Sequence, residues 1–112
     1  MPATTNQMVM SQTWVKDADH AAAYIAEAAS FDDWLRARPG FVSRVLVQGV
    51  DDPCHLLHLR TFRSVADYEA LIDDPEYQRH IQDLSRHVDP SRYPDGAVPK
   101  EYGDVVWETP IS

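Results

Sequence analysis

Alternating runs and helically spaced runs of apolar residues divide the chain into strands and helices. Met8–Lys16 (MVMSQTWVK) is short, carries β-branched and aromatic residues at Val9, Thr13, Trp14 and Val15, and reads as a strand. Asp17 or Asp19 can then accept from free backbone N–H groups and cap a helix. Tyr24, Ala28, Phe31 and Leu35 follow at i, i+4, i+7 and i+11, one helical face. Arg36 and Arg38 suit the negative end of its dipole, and Pro39-Gly40 ends it. Phe41–Val50 and Cys54–Phe62 are two strands joined at Asp51-Asp52-Pro53, a turn sequence. Ser64 to Asp67 resembles a capping box, with Val65, Tyr68, Leu71 and Ile72 as the buried face of a short helix. Pro75 suits the first position of a further helical segment, whose stripe is Tyr77, Ile81, Leu84 and Val88. Asp104–Ile111 reads as a last strand, with Pro110 at a frayed or edge end.

The order β-α-β-β-α-β predicts an α+β, ferredoxin-like domain: a four-stranded antiparallel sheet with its helices on one face. Residues 1–7 read as a flexible lead. Asp89–Gly103 holds three prolines and two glycines and predicts a long loop: a lid, a binding loop, an arm to another subunit or a solvated connector. Along the third strand Leu56, His58, Arg60 and Phe62 share one face, and His55, Leu57, Leu59 and Thr61 the other. Both faces carry bulky apolar groups, whereas a one-sided sheet alternates apolar with polar. One chain has helices for one face only, so the pattern predicts a homodimer packed sheet to sheet.

The length, 112 residues, fits a single domain. An apolar content of 44% with 25% charged residues excludes a disordered tail, a fibre and a disulfide scaffold. Eighteen Asp and Glu against ten scattered Lys and Arg leave a net charge of −8, which argues against nucleic acid and anionic membrane as partners. No window is apolar enough to span a bilayer, and the N-terminus has no signal-peptide pattern. A single cysteine, Cys54, makes no internal disulfide, so the expected location is the cytoplasm.

Pro39-Gly40-Phe41 closes the first helix and opens a strand, a hairpin follows, and Thr61–Leu71 leads through Ser64 into the second helix, continued by Asp74-Pro75-Glu76-Tyr77. In this order the segments resemble the antibiotic-biosynthesis-monooxygenase family of dimeric α+β barrels, over Met8 to Val88 plus the last strand. The resemblance implies a homodimer whose sheets close a barrel, with a pocket in each chain between sheet and helices. It also implies an aromatic or polyketide-like substrate. The family includes cofactor-independent oxygenases that form quinones, related polyketide cyclases and haem-degrading enzymes; the oxygenases use neither flavin nor metal. Two positions depart from the oxygenase pattern. The strand-three tryptophan is Phe62, and the strand-one asparagine is absent, with Ser11, Gln12 and Thr13 in that region. Both departures favour cyclisation over oxygenation and set haem degradation lower.

By the same resemblance, the face holding His58 and Arg60 looks toward the pocket. His58 is then a base with a pKa near 6–7 and Arg60 a cation that steadies an enolate or phenolate. Alternatively, His58 sits at the surface and Arg60 pairs with a carboxylate. His80 or Tyr77 can reach the pocket from the second helix, or lie on a solvated face. His80 completes the catalytic set, and Trp14, Gln12, Phe62, Tyr77 and Trp107 form the substrate-binding set; Trp14 and Trp107 are equally well placed for core packing. His55 and His58 lie on opposite strand faces, and no H-x-H strand pair or H-x-x-x-H helix pair occurs, so no metal site is expected. No phosphate loop or nucleophile elbow is present. Three readings remain: a small tailoring enzyme, oxygenase-like or cyclase; a non-catalytic dimeric barrel that binds a small apolar ligand; or a structural dimer with no pocket.

Overall fold

Regular structure begins where the alternation begins. A computed structural model describes residues 5–109. It contains β1 (Gln7–Trp14), α1 (Ala18–Ser30), α2 (Asp32–Arg36), β2 (Phe41–Gln48), β3 (His55–Phe62), α3 (Val65–Ile72), α4 (Pro75–Ser85) and β4 (Lys100–Asp104). The strands form one antiparallel sheet in the order β2-β3-β1-β4, the expected ferredoxin-like arrangement.

Side-chain caps open the helices, at Asp17 and Ser64 as expected and also at Asp74. Asp17 accepts from the His20 N–H at 2.8 Å, Ser64 from the Asp67 N–H, and Asp74 from the Glu76 N–H with Pro75 at the first position. The first helical run breaks at Phe31. There the Ser30 hydroxyl donates to the Glu27 carbonyl, which competes with the backbone ladder, and Asp32 and Asp33 favour a fresh helix start. Gly40 adopts φ +79°, a left-handed conformation that glycine takes without strain. A Cβ there would lie 2.2 Å from the Asp67 carboxylate, beside the α3 cap.

Several boundaries differ from expectation: β1 ends at Trp14 rather than Lys16, β2 at Gln48 rather than Val50, and β3 opens at His55 rather than Cys54. Gln7 belongs to β1, its side chain accepting from Val65 N–H and donating to Asp104, while residues 1–4 lie outside the described residues. The last strand is Lys100–Asp104 rather than Asp104–Ile111, because Gln7 pairs with Asp104 and Asn6 accepts from Val105, where the ladder ends. Val106 and Trp107 follow it into solvent, and 110–111 lie outside the described residues. The Pro-rich segment is correspondingly shorter. It opens with one 3-10 turn at Pro90–Arg92 and gives its last residues to β4. Its Tyr93 hydroxyl accepts from Trp14 N–H and donates to the Gln12 carbonyl, so it serves the edge of β1 that β4 does not reach.

The core lies on the helix-facing side of the sheet and comes in two parts. Val9, Leu35, Phe62, Tyr68, Leu71 and Tyr77 form one cluster; Val15, Ala21, Tyr24, Ala28, Leu56 and Leu84 form the other. Between them the inward rows are polar: Ser11 and Thr13 on β1, His58 and Arg60 on β3, all buried. On the outer face Val45 and Val47 are half exposed in register with Leu59 and Leu57. Among the described residues no helix is long and apolar enough to cross a membrane.

Replacing Gly40 with alanine forces a disfavoured φ and a collision with Asp67. Gly40→Ala is expected to lose about 1–3 kcal/mol, read as a lower urea midpoint at unchanged slope.

Candidate functional site

The polar rows open onto a cavity of about 620 Å³ between sheet and helices. Its floor is Ser11 and Thr13 of β1 with His58 and Arg60 of β3. Tyr24 of α1, Tyr68 of α3 and Tyr77 of α4 form phenolic walls. Ile81 and Leu84 of α4 line it too, as do Tyr93 and Val98 of the Pro-rich segment. That segment therefore borders the cavity.

Arg60 is only 5% exposed. It donates to the Ser11 hydroxyl at 2.6 Å and to the Tyr77 hydroxyl at 3.2 Å, and its guanidinium carbon stands 5.5 Å from the Tyr68 ring centre. Its Nε has no partner, and among the described residues it forms no ion pair. The expected alternative of a carboxylate-paired Arg60 is thus absent. Arg44 faces it across β2 and β3 and donates instead to the Ala28 carbonyl.

His58 is buried, with Nδ1 3.4 Å from the Tyr24 hydroxyl and Nε2 unpartnered. Burial first, then the positive charges of Arg60 and Arg44, hold its pKa well below 6.5, lower than the 6–7 expected of it. Burial raises the Tyr24 and Tyr77 phenols, which stay protonated as donors.

The remaining expected site residues divide by strand parity and helix face. Tyr77 lines the cavity. Phe62 shares the inward face but packs beneath it, against Tyr68 and Phe41. Gln12 and Trp14 lie on the opposite sheet face, where His55 bonds Gln12 at 3.0 Å and stacks on Trp14 at 4.3 Å. Trp107 is 76% exposed beyond the end of β4. His80 does not border the main cavity. It stacks on Phe31 at 4.0 Å, at the break between α1 and α2, beside a separate hollow of about 210 Å³. Burial lowers its pKa to about 4. Ser11, Thr13, Tyr24, Tyr68 and Lys100 were not singled out for the site by the sequence. Ser11 carried a usable signal: a polar residue in step with Val9 and Val15 on a buried strand face. Among the described residues no three His, Cys, Asp or Glu side chains gather as a metal site.

No family model and no curated relative matches the sequence. Solved structures do match its fold. SnoaB, a cofactor-independent oxygenase from Streptomyces nogalater, is 16% identical with a TM-score of 0.64, over 97% of this chain and 98% of that one. A protein of Nitrosomonas europaea, named as a candidate antibiotic biosynthesis monooxygenase, is 14% identical at TM-score 0.68, over 93% and 90%. A conserved protein of Methanosarcina mazei is 14% identical at TM-score 0.70, over 90% and 91%. The chain therefore has the fold of the antibiotic biosynthesis monooxygenases.

The depressed His58 pKa fixes a sign. In the unfolded chain His58 titrates near 6.5, so below that pH the unfolded state binds a proton that the folded state refuses. Its contribution is complete above about pH 6.5 and is lost as pH falls. The ring resonances of His58 are expected to keep their neutral-form shifts at pH 6, and His58→Gln to flatten the acid loss of stability. Titration at or above 6.5 in the folded protein would contradict the buried, cation-flanked placement.

Proposed function

We propose that the cavity is the active site of a small tailoring enzyme of aromatic polyketide or related secondary metabolism. It acts on a phenolic or enolisable substrate as a cofactor-independent oxygenase or a cyclase. The observation that carries this reading is the convergence of an unpartnered imidazole nitrogen and a carboxylate-free guanidinium on one cavity. The fold shared with SnoaB supports it.

In the tautomer whose Nδ1–H donates to the Tyr24 oxygen, the unpartnered Nε2 carries the lone pair that takes a substrate proton. Burial keeps the imidazole neutral, and so ready to act, at neutral pH. Arg60, already oriented by Ser11 and Tyr77, stabilises the oxyanion without reorganising. In the oxygenase the carbanion passes one electron to dioxygen, and the radical pair joins as a peroxide at carbon. The peroxide is protonated and loses water as the second C–H proton leaves, so a CH₂ and O₂ become C=O and H₂O. In the cyclase the same enolate attacks a carbonyl of its own molecule. His58 then returns the proton to the new alkoxide.

A second copy of the chain, packed sheet to sheet, covers the outer face with Val45 and Val47, as expected of a cytoplasmic homodimer of this fold. Each subunit then buries more than the ~800 Å² of one side of a standard interface. Sedimentation at micromolar concentration is expected to give a dimer, and Val45→Glu to shift it toward monomer. A wild-type monomer sinks the dimer.

Dioxygen uptake and the absorbance of hydroxylated anthrones, with and without dioxygen, separate oxygenase from cyclase. Arg60→Ala is expected to lower turnover about 10²–10³-fold, and Arg60→Lys to recover part of it. If Arg60→Ala lowers only the melting temperature and leaves the rate per folded molecule intact, Arg60 is structural and the catalytic reading fails.

A further inference from the structure

We propose that the molecule taken by the cavity is a carboxylic acid as well as a phenol or enol, with its carboxylate held at the rim against Lys100. The proposal rests on the reading of the cavity as a ligand site and adds the charge of the ligand.

The sorting of charge around the cavity points to it. The chain carries eighteen acidic residues and a net charge of −8. Yet no Asp or Glu lines the cavity, and its charged side chains are Arg60 and Lys100. The nearby acids are turned elsewhere. On β4, Lys100 pairs with the inward-facing Ser11, whereas Glu101 pairs with Met10 on the outer face. On α4, Glu76 and Asp83 border the separate hollow beside His80, while Gln78, Gln82 and Ser85 border the main cavity. The main cavity is thus a positive site in a negative molecule.

The two cations stand against one ring. The Arg60 guanidinium carbon is 5.5 Å and the Lys100 ammonium 5.2 Å from the centre of Tyr68, whose hydroxyl accepts from Lys100 at 3.0 Å. Arg60 is deep and fixed by two hydroxyls; Lys100 is at the exposed rim. One oxyanion at Arg60 leaves the Lys100 charge unmatched, and an uncharged ligand leaves both unmatched. An acid with its oxyanion deep and its carboxylate at the rim matches each. A flexible ammonium among neutral amides suits a monoanion at variable reach, whereas planar bidentate recognition calls for arginine. Phosphate sites commonly gather several arginines, and Arg60 is the one arginine among the residues that line the cavity.

The test compares 1,8-dihydroxyanthraquinone-3-carboxylic acid with its methyl ester, titrated into the full-length protein by calorimetry at low salt. The wild type is expected to bind the acid about tenfold tighter than the ester. Lys100→Gln is expected to abolish that preference by weakening the acid alone, and Lys100→Arg to restore it in part. Equal binding of acid and ester by the wild type overturns the proposal while leaving the cavity a ligand site. Equal weakening of both by Lys100→Gln also overturns it, because Lys100 is then only a wall. Binding of neither removes the cavity reading and this proposal together.

Discussion

A buried guanidinium without a carboxylate is the constraint around which the structure is arranged. A buried charge stripped of its partner costs several kcal/mol, so Arg60 needs other compensation. Ser11, Tyr77 and the Tyr68 ring supply part of it, from β1, α4 and α3. The one side chain therefore ties the sheet to two helices. It also explains why the core is split in two. The polar rows that serve Arg60 and His58 cross the sheet between the Phe62 cluster and the Leu56 cluster. Apolar filling there would bury Arg60 against hydrocarbon, and a carboxylate would cancel the charge that the cavity presents. Arg44, beside Arg60 in the ladder, donates to the Ala28 carbonyl, and its charge still bears on His58 at the cavity floor.

The order of elements was legible in the sequence because it rests on local signals: period-two runs, caps at Asp17 and Ser64, Pro75 at a helix start, and the Pro39-Gly40 stop. The grouping of Leu56, His58, Arg60 and Phe62 was legible for the same reason, since parity along one strand needs no partner. Parity between strands was not legible. Gln12 and Trp14 are neighbours of Ser11 and Thr13, and only the pairing of Ser11 with His58 decides which of them face the cavity. A shift of one residue exchanges the whole set. Trp107 misled for a related reason. DVVWETPI has strand composition, but among the described residues the pairing with β1 runs from Ser11 to Gln7, with Asn6 accepting from Val105 just before the strand, so KEYGD takes the edge instead. His80 belongs to the right helix and the wrong flank, because the break at Phe31 brings that ring to it and stacks it away from the cavity.

The fold alone does not choose a reaction. Its neighbours include an oxygenase and a conserved protein with no activity in its description, at similar TM-scores. Function has to be argued from the site. Here His58 and Arg60 are not independent. After burial, the same positive charge that is proposed to stabilise a substrate oxyanion lowers the basicity of His58. An efficient base has a pKa near the operating pH, and His58 lies well below it. On the proposed reading the site suits a substrate whose own acidity Arg60 raises at least as much as it lowers the basicity of the imidazole. An oxygen bound directly to Arg60 meets that condition, because it feels the guanidinium at hydrogen-bond distance while the imidazole feels it from two residues along the strand. A vinylogous phenol or a 1,3-dicarbonyl meets it; an isolated C–H bond does not. On the proposed reading the chemistry begins at an oxygen held by Arg60, and the carbon that reacts is the one conjugated to it.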